Sequence, residues 1–293
     1  MEKLNQKQPA FAIDNHTGET AWILGAGTTL NEVWDWQVLS DKVRVMTMNS
    51  SSLWCWGNWR DGQPQGVLFK GIQDIQNYRR PLDYWFCIDG KVTTPTLQPE
   101  WTYANIALRH PTAKKIMLNG LNIPPDCPNL SIVNMRDDWQ RSFNLKKQSA
   151  VPLMRGPSVI IPTLFYVHKA KFKNVILSGV DFCRYVIDGK EERRFFDSIG
   201  VYKNHEKNDH KAVSQYRRRD TAGNICYQEP MMQNHMNAAM PLIRAMQNEG
   251  VNIFKTSTRG MVSVPFIDSD RTIKAIANGG RLKFETIKTG RET

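Results

Sequence analysis

The sequence predicts an α/β fold: a Rossmann-like, mostly parallel sheet with helices on both faces and a basic lid segment. Two patterns support this. Short apolar runs of strand length alternate with segments of helical character along the 293 residues, and the first run ends in a glycine turn. We divide the chain into a polar N-terminal extension over residues 1–19, one domain over 20–265 and a basic tail over 266–293.

Five strands are predicted in the first half, each from a short apolar run. They cover residues 20–25, 43–49, 84–89, 115–120 and 130–135. After the first strand, Gly25-Ala26-Gly27 forms a turn, and Thr28 or Thr29 is predicted to cap a helix. Glu32 is correctly placed to complete a capping box on Thr29.

The second half continues the alternation. Its predicted elements are a helix at 159–171, a strand at 174–182, a helix at 236–250 and a strand at 251–257. Gly156-Pro157-Ser158 precedes the first of these helices, and Pro162 falls in its first turns, where proline is tolerated. Residues 184–229 are polar, charged and weakly periodic, and we predict a long loop or lid there.

Composition excludes several classes of protein. No run approaches the ~18 apolar residues of a membrane span, and the polar N-terminus does not resemble a secretory signal. The five cysteines include no Cys-x-x-Cys pair, which argues against a disulfide framework and a structural zinc site. We therefore expect a cytoplasmic protein in a reducing compartment.

Charge is distributed unevenly along the chain. Residues 1–139 hold 13 basic and 14 acidic side chains, whereas residues 140–293 hold 26 and 14. The excess of positive charge in the second half of the chain suggests a polyanionic partner. The alternative is a solvated surface that only aids solubility. The candidate phosphate or polyanion residues are Arg155, Arg184, Tyr185, Arg193, Arg194, Arg217, Arg218 and Arg219.

Ligands of open parallel sheets bind where the strands end. On this basis we predict a nucleotide site, and its residues are Gly25, Gly27, Thr28, Asn49, Asp89, Ser178, Gly179, Asp181 and Phe182. Ser158, which precedes the helix predicted at 159–171, is a further candidate for this site. The alternative is structural: a tight turn after the first strand and a strand end capped by Asp181. Trp54, Trp56 and Trp59 follow Asn49 and supply either core bulk or a stacking surface.

His235 is the candidate general base. We predict it at the start of the helix after the charged loop, where an imidazole near its working pKa can deprotonate a hydroxyl. The alternative is an ordinary surface histidine. No metal site is predicted: the segment from His205 to His210 has one residue too many for a zinc-protease motif, and Asp268-Ser269-Asp270 is expected to be a loop.

These segments resemble a known family. WILGAGTTL, followed by Asn49, resembles the glycine turn and asparagine strand of bacterial sialyltransferases that act on lipooligosaccharide. RGPSVIIPTLFYVHKAKFKNVILSGVDF resembles their central helix and strand, and His235 lies where they carry a catalytic histidine. The motility-accessory-factor and 6-hydroxymethylpterin diphosphokinase-like domains share this core. The resemblance spans residues 20–260.

The resemblance implies a nucleotide-binding domain that carries out inverting, metal-independent glycosyl transfer, with the nucleotide-sugar as substrate and no cofactor. It implies that His235 is the general base and that Asp89 replaces a nucleotide-contacting asparagine. The residues that would hold the nucleotide are Gly25, Gly27, Asn49, Ser178, Gly179, Asp181 and Phe182.

Two departures from the family put CMP-sialic acid in doubt as the donor. The family's Gly-Asn-Gly-Pro-Ser is here Gly25-Ala26-Gly27-Thr28-Thr29, which lacks the asparagine. A tyrosine that steadies the leaving phosphate is here Cys183. The residues that could substitute for it are Arg184, Tyr185, Arg193 and Arg194.

Our hypothesis is a cytoplasmic glycosyltransferase whose acceptor is a hydroxymethylated base in DNA, as in phage DNA modification. The basic second half suits a phosphate backbone better than a membrane glycan, and reaching a base in a duplex requires flipping it out. The alternatives are a lipooligosaccharide sialyltransferase-like enzyme, a pterin-type diphosphokinase and a non-catalytic nucleic-acid-binding protein.

Overall fold

The computed structural model describes twelve segments of the chain. They are residues 11–32, 43–49, 51, 58–60, 63–65, 82–87, 112–118, 129–133, 153, 156–187, 190–192 and 214–268. The described strands are, in chain order, β1 Thr20–Leu24, β2 Val43–Met48, β3 Asn58–Arg60, β4 Gln63–Gln65, β5 Tyr84–Cys87, β6 Lys114–Leu118, β7 Leu130–Val133, β8 Asn174–Ser178, β9 Tyr185–Ile187, β10 Lys190–Glu192, β11 Arg217–Arg219, β12 Ile225–Tyr227 and β13 Asn252–Lys255. The α-helices are α1 Ile160–Lys169 and α2 Pro230–Asn248, and short 3-10 turns cover Thr28–Glu32 and Ser214–Tyr216.

Seven strands form one parallel sheet in the order β13-β8-β1-β2-β5-β6-β7. All seven were predicted from their apolar runs, and the α/β fold is confirmed. The first strand is an interior strand, between β8 and β2, and all five of its side chains are buried. Because alternate side chains of a strand point to opposite faces, the burial of every β1 side chain shows that both faces of the sheet are covered at this strand.

Both described α-helices pack on the same face of the sheet. Residues Ile23, Met46 and Leu177 project to this face and share one apolar cluster with the buried side chains of α1 and α2. Trp22 and Trp85 belong to the opposite rows of their strands and are also buried. The alternation of strand side chains therefore divides the core into two layers.

The two helices predicted in the second half are present, but the second of them begins earlier than expected. The helix predicted after the glycine turn is described only as a 3-10 turn over Thr28–Glu32, and the rest of it lies outside the described residues. Helix α2 starts at Pro230. Backbone N–H groups in the first turn of a helix have no intrahelical acceptor, so a proline there loses no hydrogen bond. The expected start at residue 236 is therefore wrong, and His235 lies within the helix rather than at its beginning. The helix ends before Gly250, whose φ of +86° takes the chain into the left-handed region.

The described part of the predicted lid contains regular structure, so residues 184–229 are not one long loop. It forms two antiparallel hairpins, β9–β10 and β11–β12. Each of these strands has only three residues, and β10 and β11 consist entirely of charged residues, so no hydrophobic alternation marks them in the sequence.

Residues just outside the predicted domain limits also contact the domain. The Asp14 carboxylate accepts hydrogen bonds from Tyr84 Oη at 2.7 Å, Tyr166 Oη at 3.0 Å and Lys114 Nζ at 3.0 Å. Burial alone would raise the pKa of Asp14, but these donors hold it below its usual value. At the other limit, Ile267 N donates to Lys255 O at 2.9 Å.

Candidate functional site

The turn after β1 and the turn after β8 are in direct backbone contact. Gly25 N donates to Ser178 O at 2.7 Å, and Gly27 N donates to Gly179 O at 2.7 Å. A Cβ added to Gly25 would lie 2.2 Å from Gly179 O, and one on Gly27 would lie 2.4 Å from Asp181 Oδ2. No side chain fits there, so the contact between the two turns itself requires these glycines.

Asp181 links the same two turns through its side chain. It is buried, and Thr29 N donates to its Oδ2 at 3.0 Å while Thr29 Oγ1 donates to its Oδ1. Thr29 lies inside the 3-10 turn, and its N–H and hydroxyl both donate to Asp181 in the turn after β8, so the predicted capping box on Thr29 is wrong. Met261 N also donates to Asp181 O at 2.9 Å, which brings the segment after β13 to the same edge.

A buried hydroxyl pair lies beside these turns. Ser178 Oγ accepts a hydrogen bond from Trp22 Nε1 at 2.8 Å and lies 2.7 Å from Thr256 Oγ1. Sequence analysis selected Ser178 but missed Thr256. The signal was available, because Thr256 directly follows β13, as Ser178 ends β8.

The end of β2 meets its neighbours at this edge as well. Asn49 adopts the left-handed conformation with a φ of +48°, and its carbonyl accepts a hydrogen bond from Trp85 Nε1 at 2.8 Å. Ser51 Oγ accepts from Met48 N at 2.7 Å and donates to Leu24 O at 2.6 Å. Ser51 was not selected from sequence, because a single serine beyond a strand carries no pattern.

Two buried hydroxyls at this edge have no hydrogen-bond partner among the residues that the structure describes. They are Thr28 Oγ1 in the glycine turn and Thr47 Oγ1 in β2, and both residues are at most 2% exposed. Thr47 pairs with Leu24, the last residue of β1, and Thr28 lies four positions after it. A buried hydroxyl without a partner is costly, and a bound ligand is one way to satisfy it.

His235 projects from the second turn of α2 and is half-buried. Burial lowers the pKa of its imidazole, so the neutral, basic form predominates at neutral pH. The start of α2 is fixed beside the end of β8, because Gln228 Nε2 donates to Phe182 O at 3.3 Å and Glu229 forms an ion pair with Arg184.

Two predicted phosphate ligands are engaged within the protein. The Arg184 side chain is 3% exposed and is paired with Glu229. Tyr185 Oη donates to Asp220 Oδ2 at 2.7 Å and accepts from Gly260 N at 2.6 Å, and burial raises the pKa of this phenol. Direct phosphate contact by either side chain would require these bonds to break.

The remaining predicted residues divide between exposed, partly buried and undescribed positions. Arg217, Arg218 and Arg219 form an exposed strand, while Ser158 and Phe182 are half-buried. Several predicted residues lie outside the described segments: Asp89, Arg155, Arg193, Arg194, Trp54, Trp56, His205, His210, Ser269 and Asp270.

Other candidate chemistry is limited within the described segments. There, no three His, Cys, Asp or Glu side chains come together as metal ligands, and Cys87, Cys183 and Cys226 form no disulfide. The helices described here are all too short or too polar to cross a bilayer.

Comparison with known proteins gives a structural likeness but no sequence match. No model of a known protein family matches this sequence, and no curated protein matches it. Among solved structures, MAf glycosyltransferase from Magnetospirillum magneticum AMB-1 shares 15% identity at a TM-score of 0.53, over 92% of this chain. The chain spans 38% of the length of that protein.

Two sialyltransferases from Campylobacter jejuni are more distant in structure. CstII, in complex with the substrate analogue CMP-3FNeuAc, has 9% identity and a TM-score of 0.40, over 85% of this chain and 86% of its own. Cst-I has 12% identity and the same TM-score of 0.40, over 89% of this chain and 85% of its own. The expected resemblance is confirmed as a shared fold, carried by the MAf likeness. Its pterin diphosphokinase-like branch stays a prediction.

Proposed function

We propose that the protein is a glycosyltransferase that moves a sugar from a nucleotide-sugar to an acceptor hydroxyl. The observation that carries this proposal is the polar edge where β1, β2 and β8 end. Backbone hydrogen bonds join the two glycine-containing turns there. The buried hydroxyls of Thr28 and Thr47 have no hydrogen-bond partner among the described residues. The fold shared with a MAf glycosyltransferase supports the same conclusion.

The donor nucleotide binds along this edge. Thr28 and Thr47 supply hydroxyls, and Asn49, whose backbone is in the left-handed region, follows β2 at the same edge. Gly25 and Gly27 let the turn pack directly against Gly179 and Asp181, which fixes the shape of the edge along which the nucleotide binds. Asp181 acts indirectly in this scheme, because its carboxylate holds Thr29 and thereby the shape of the turn.

The reaction is a single inverting displacement without a metal ion. His235 removes the acceptor proton as the acceptor oxygen forms its bond to the anomeric carbon. The bond from that carbon to the phosphate oxygen breaks, and the nucleotide leaves with the electron pair. The lowered pKa of His235 supports the role of base, since the imidazole is neutral when the acceptor arrives.

The acceptor that we propose is a hydroxymethylated base in DNA. The net positive charge of the second half and the exposed arginine strand support a polyanionic acceptor. A lipooligosaccharide-type glycan, a pterin-like alcohol or nucleic-acid binding without catalysis are the competing assignments. A reaction that requires Mg²⁺ and ATP identifies the diphosphokinase.

A thermal-shift panel tests the donor. CMP, UDP, GDP and ADP, each alone and as sugar conjugates, are added to the full chain and the melting temperature is followed. A ligand present at 100 times its Kd stabilises the protein by about 2.7 kcal/mol, which is easily resolved. The proposal predicts a shift with one nucleotide-sugar class, and no shift with any member contradicts it.

A further inference from the structure

The hairpin β11–β12 presents two distinct faces. Cross-strand partners project to the same face, and Arg218 pairs with Cys226, which is fully buried. The Cys226 face is therefore turned toward the protein, although the Arg218 side chain on it reaches solvent. Two other pairs form the outer face, Arg217 with Tyr227 and Arg219 with Ile225. Ile225 is 41% exposed, and both arginines are exposed.

Within the segments that the structure describes, no acidic side chain forms an ion pair with Arg217 or Arg219 on this outer face. The hairpin's own acid, Asp220, is buried and accepts hydrogen bonds from Tyr185 Oη at 2.7 Å, Ala222 N at 2.9 Å and Asn224 N at 2.8 Å. Its negative charge is thus held on the inside, away from the outer face.

The same contacts make the hairpin rigid. Asp220 closes its turn and ties it to Tyr185, and Thr221 N donates to Gly260 O at 3.1 Å. Arg219 Nη1 donates to Gly223 O at 2.7 Å, which fixes the guanidinium along the strand. Binding groups held in place before a partner arrives lose less conformational entropy on binding.

The spacing of the two arginines suits consecutive phosphates. Alternate residues of a strand lie about 6.6–6.8 Å apart on the same face, which is close to the separation of neighbouring phosphates along one nucleic-acid strand. Guanidinium groups bind phosphate oxygens in a bidentate manner. On the neighbouring strand, Tyr227 pairs with Arg217 and Ile225 pairs with Arg219. Both side chains lie on the same face as the arginines and offer an apolar surface to a sugar or base.

We propose that the outer face of this hairpin, formed by Arg217, Arg219, Ile225 and Tyr227, binds the phosphate backbone of a nucleic acid. A membrane surface fits less well, because insertion requires a broad apolar face. The inference deepens the proposed function and rests on it, since it assigns where the DNA acceptor is held. The location agrees: Arg184 and Tyr227 exchange backbone hydrogen bonds at 3.0 and 2.9 Å, which joins the hairpin to the segment between β8 and β9.

Salt-dependent DNA binding by the full chain tests this surface. The probe is a fluorescein-labelled single-stranded DNA, with the corresponding duplex as a second probe, titrated between about 50 and 200 mM salt. Two phosphate contacts contribute roughly 1.4–1.8 to the slope of log K against log salt. The R217Q/R219Q variant is expected to lose that much of the slope and to bind at least about tenfold more weakly at low salt.

The matched control removes the same charge from exposed positions elsewhere. Arg244→Gln in α2 and Lys171→Gln after α1 also delete two positive charges, and this double variant is expected to keep the wild-type slope. R217K/R219K keeps the charge but not the forked geometry and is expected to recover only part of the affinity. An unchanged melting temperature shows that each variant is folded.

Three outcomes overturn the proposal: no DNA binding by the wild type, equal slopes for R217Q/R219Q and the control, or binding to phosphatidylglycerol vesicles in place of DNA. The donor thermal shift is measured on the same samples and separates the two proposals. Loss of DNA binding in R217Q/R219Q with the donor shift intact supports the docking surface. If DNA binds through the hairpin but no nucleotide-sugar raises the melting temperature, the glycosyltransferase assignment is contradicted and the docking surface is retained.

Discussion

Replacing Thr47 by valine tests the donor site most directly, because two properties are expected to change in opposite directions. The side chain is fully buried and its hydroxyl has no partner among the described residues. A buried, unsatisfied hydroxyl costs about 1–3 kcal/mol, and valine removes it while keeping nearly the same shape. The free energy of unfolding of the ligand-free variant should therefore rise by about that amount.

This stabilisation corresponds to an increase in melting temperature of about 2 °C per kcal/mol for a chain of this size. The same variant loses a hydrogen bond to the nucleotide worth about 0.5–1.5 kcal/mol, so the donor should bind roughly 2- to 10-fold more weakly. Differential scanning calorimetry measures the first effect and isothermal titration calorimetry the second.

The matched control is Thr163→Val. Thr163 is also fully buried, but its hydroxyl donates to Val159 O at 2.8 Å in the first turn of α1. This variant should lose about 0.5–1.5 kcal/mol of stability and bind the donor normally. If Thr47→Val destabilises the protein as the control does, the Thr47 hydroxyl is satisfied in the ligand-free protein and the reasoning fails.

Further predictions concern catalysis and the architecture of the edge. His235→Gln should lower kcat by about 10²–10⁴ while the donor thermal shift is retained, and a normal turnover rate would remove His235 from the mechanism. Burial lowers the pKa of His235 in the folded state, so protonation of His235 favours the unfolded state. The stability that neutral His235 contributes is therefore present above its unfolded pKa of about 6.5 and is lost as the pH falls. Melting temperatures measured across pH should show less acid destabilisation for His235→Gln than for the wild type. Gly27→Ala should cost at least about 1–3 kcal/mol, because its Cβ would meet the Asp181 carboxylate, and urea denaturation that gives a wild-type midpoint would contradict that contact. Asp220→Asn should weaken the tie to Tyr185 and increase amide hydrogen exchange in residues 217–227; unchanged protection would show that the hairpin does not depend on this carboxylate.

Several residues of the polar edge were selected by sequence reasoning because they follow a local rule. The rule that ligands bind where parallel strands end selected Gly25, Gly27, Asn49 and Ser178, and each of them lies at that edge. The rule names positions but not roles. Asp181 was selected as a ligand residue, yet its carboxylate is occupied by Thr29, a partner 152 positions away in the sequence.

The missed residues share one property. Thr256 and Ser51 are small polar residues that gain significance from partners distant in sequence. The β11–β12 hairpin was missed for a related reason, since its stability comes from Asp220 bonding to Tyr185 and Gly260 rather than from an apolar alternation. Hydrogen bonds of this kind between residues distant in sequence produce no periodic pattern of apolar residues in the sequence.

The order of apolar and polar residues by itself determined the parallel sheet, because buried strands must be apolar wherever they occur and each needs a helical or loop return. It also determined the concentration of positive charge in the second half. Only the tertiary structure decided which polar side chains are hydrogen-bonded within the protein and which hydroxyls have no hydrogen-bond partner among the described residues. It also decided that Arg184 forms an ion pair with Glu229 while Arg217 and Arg219 are exposed. Hydrogen bonds and ion pairs depend on atoms within a few ångströms, and residues far apart in sequence reach that distance only when the chain folds.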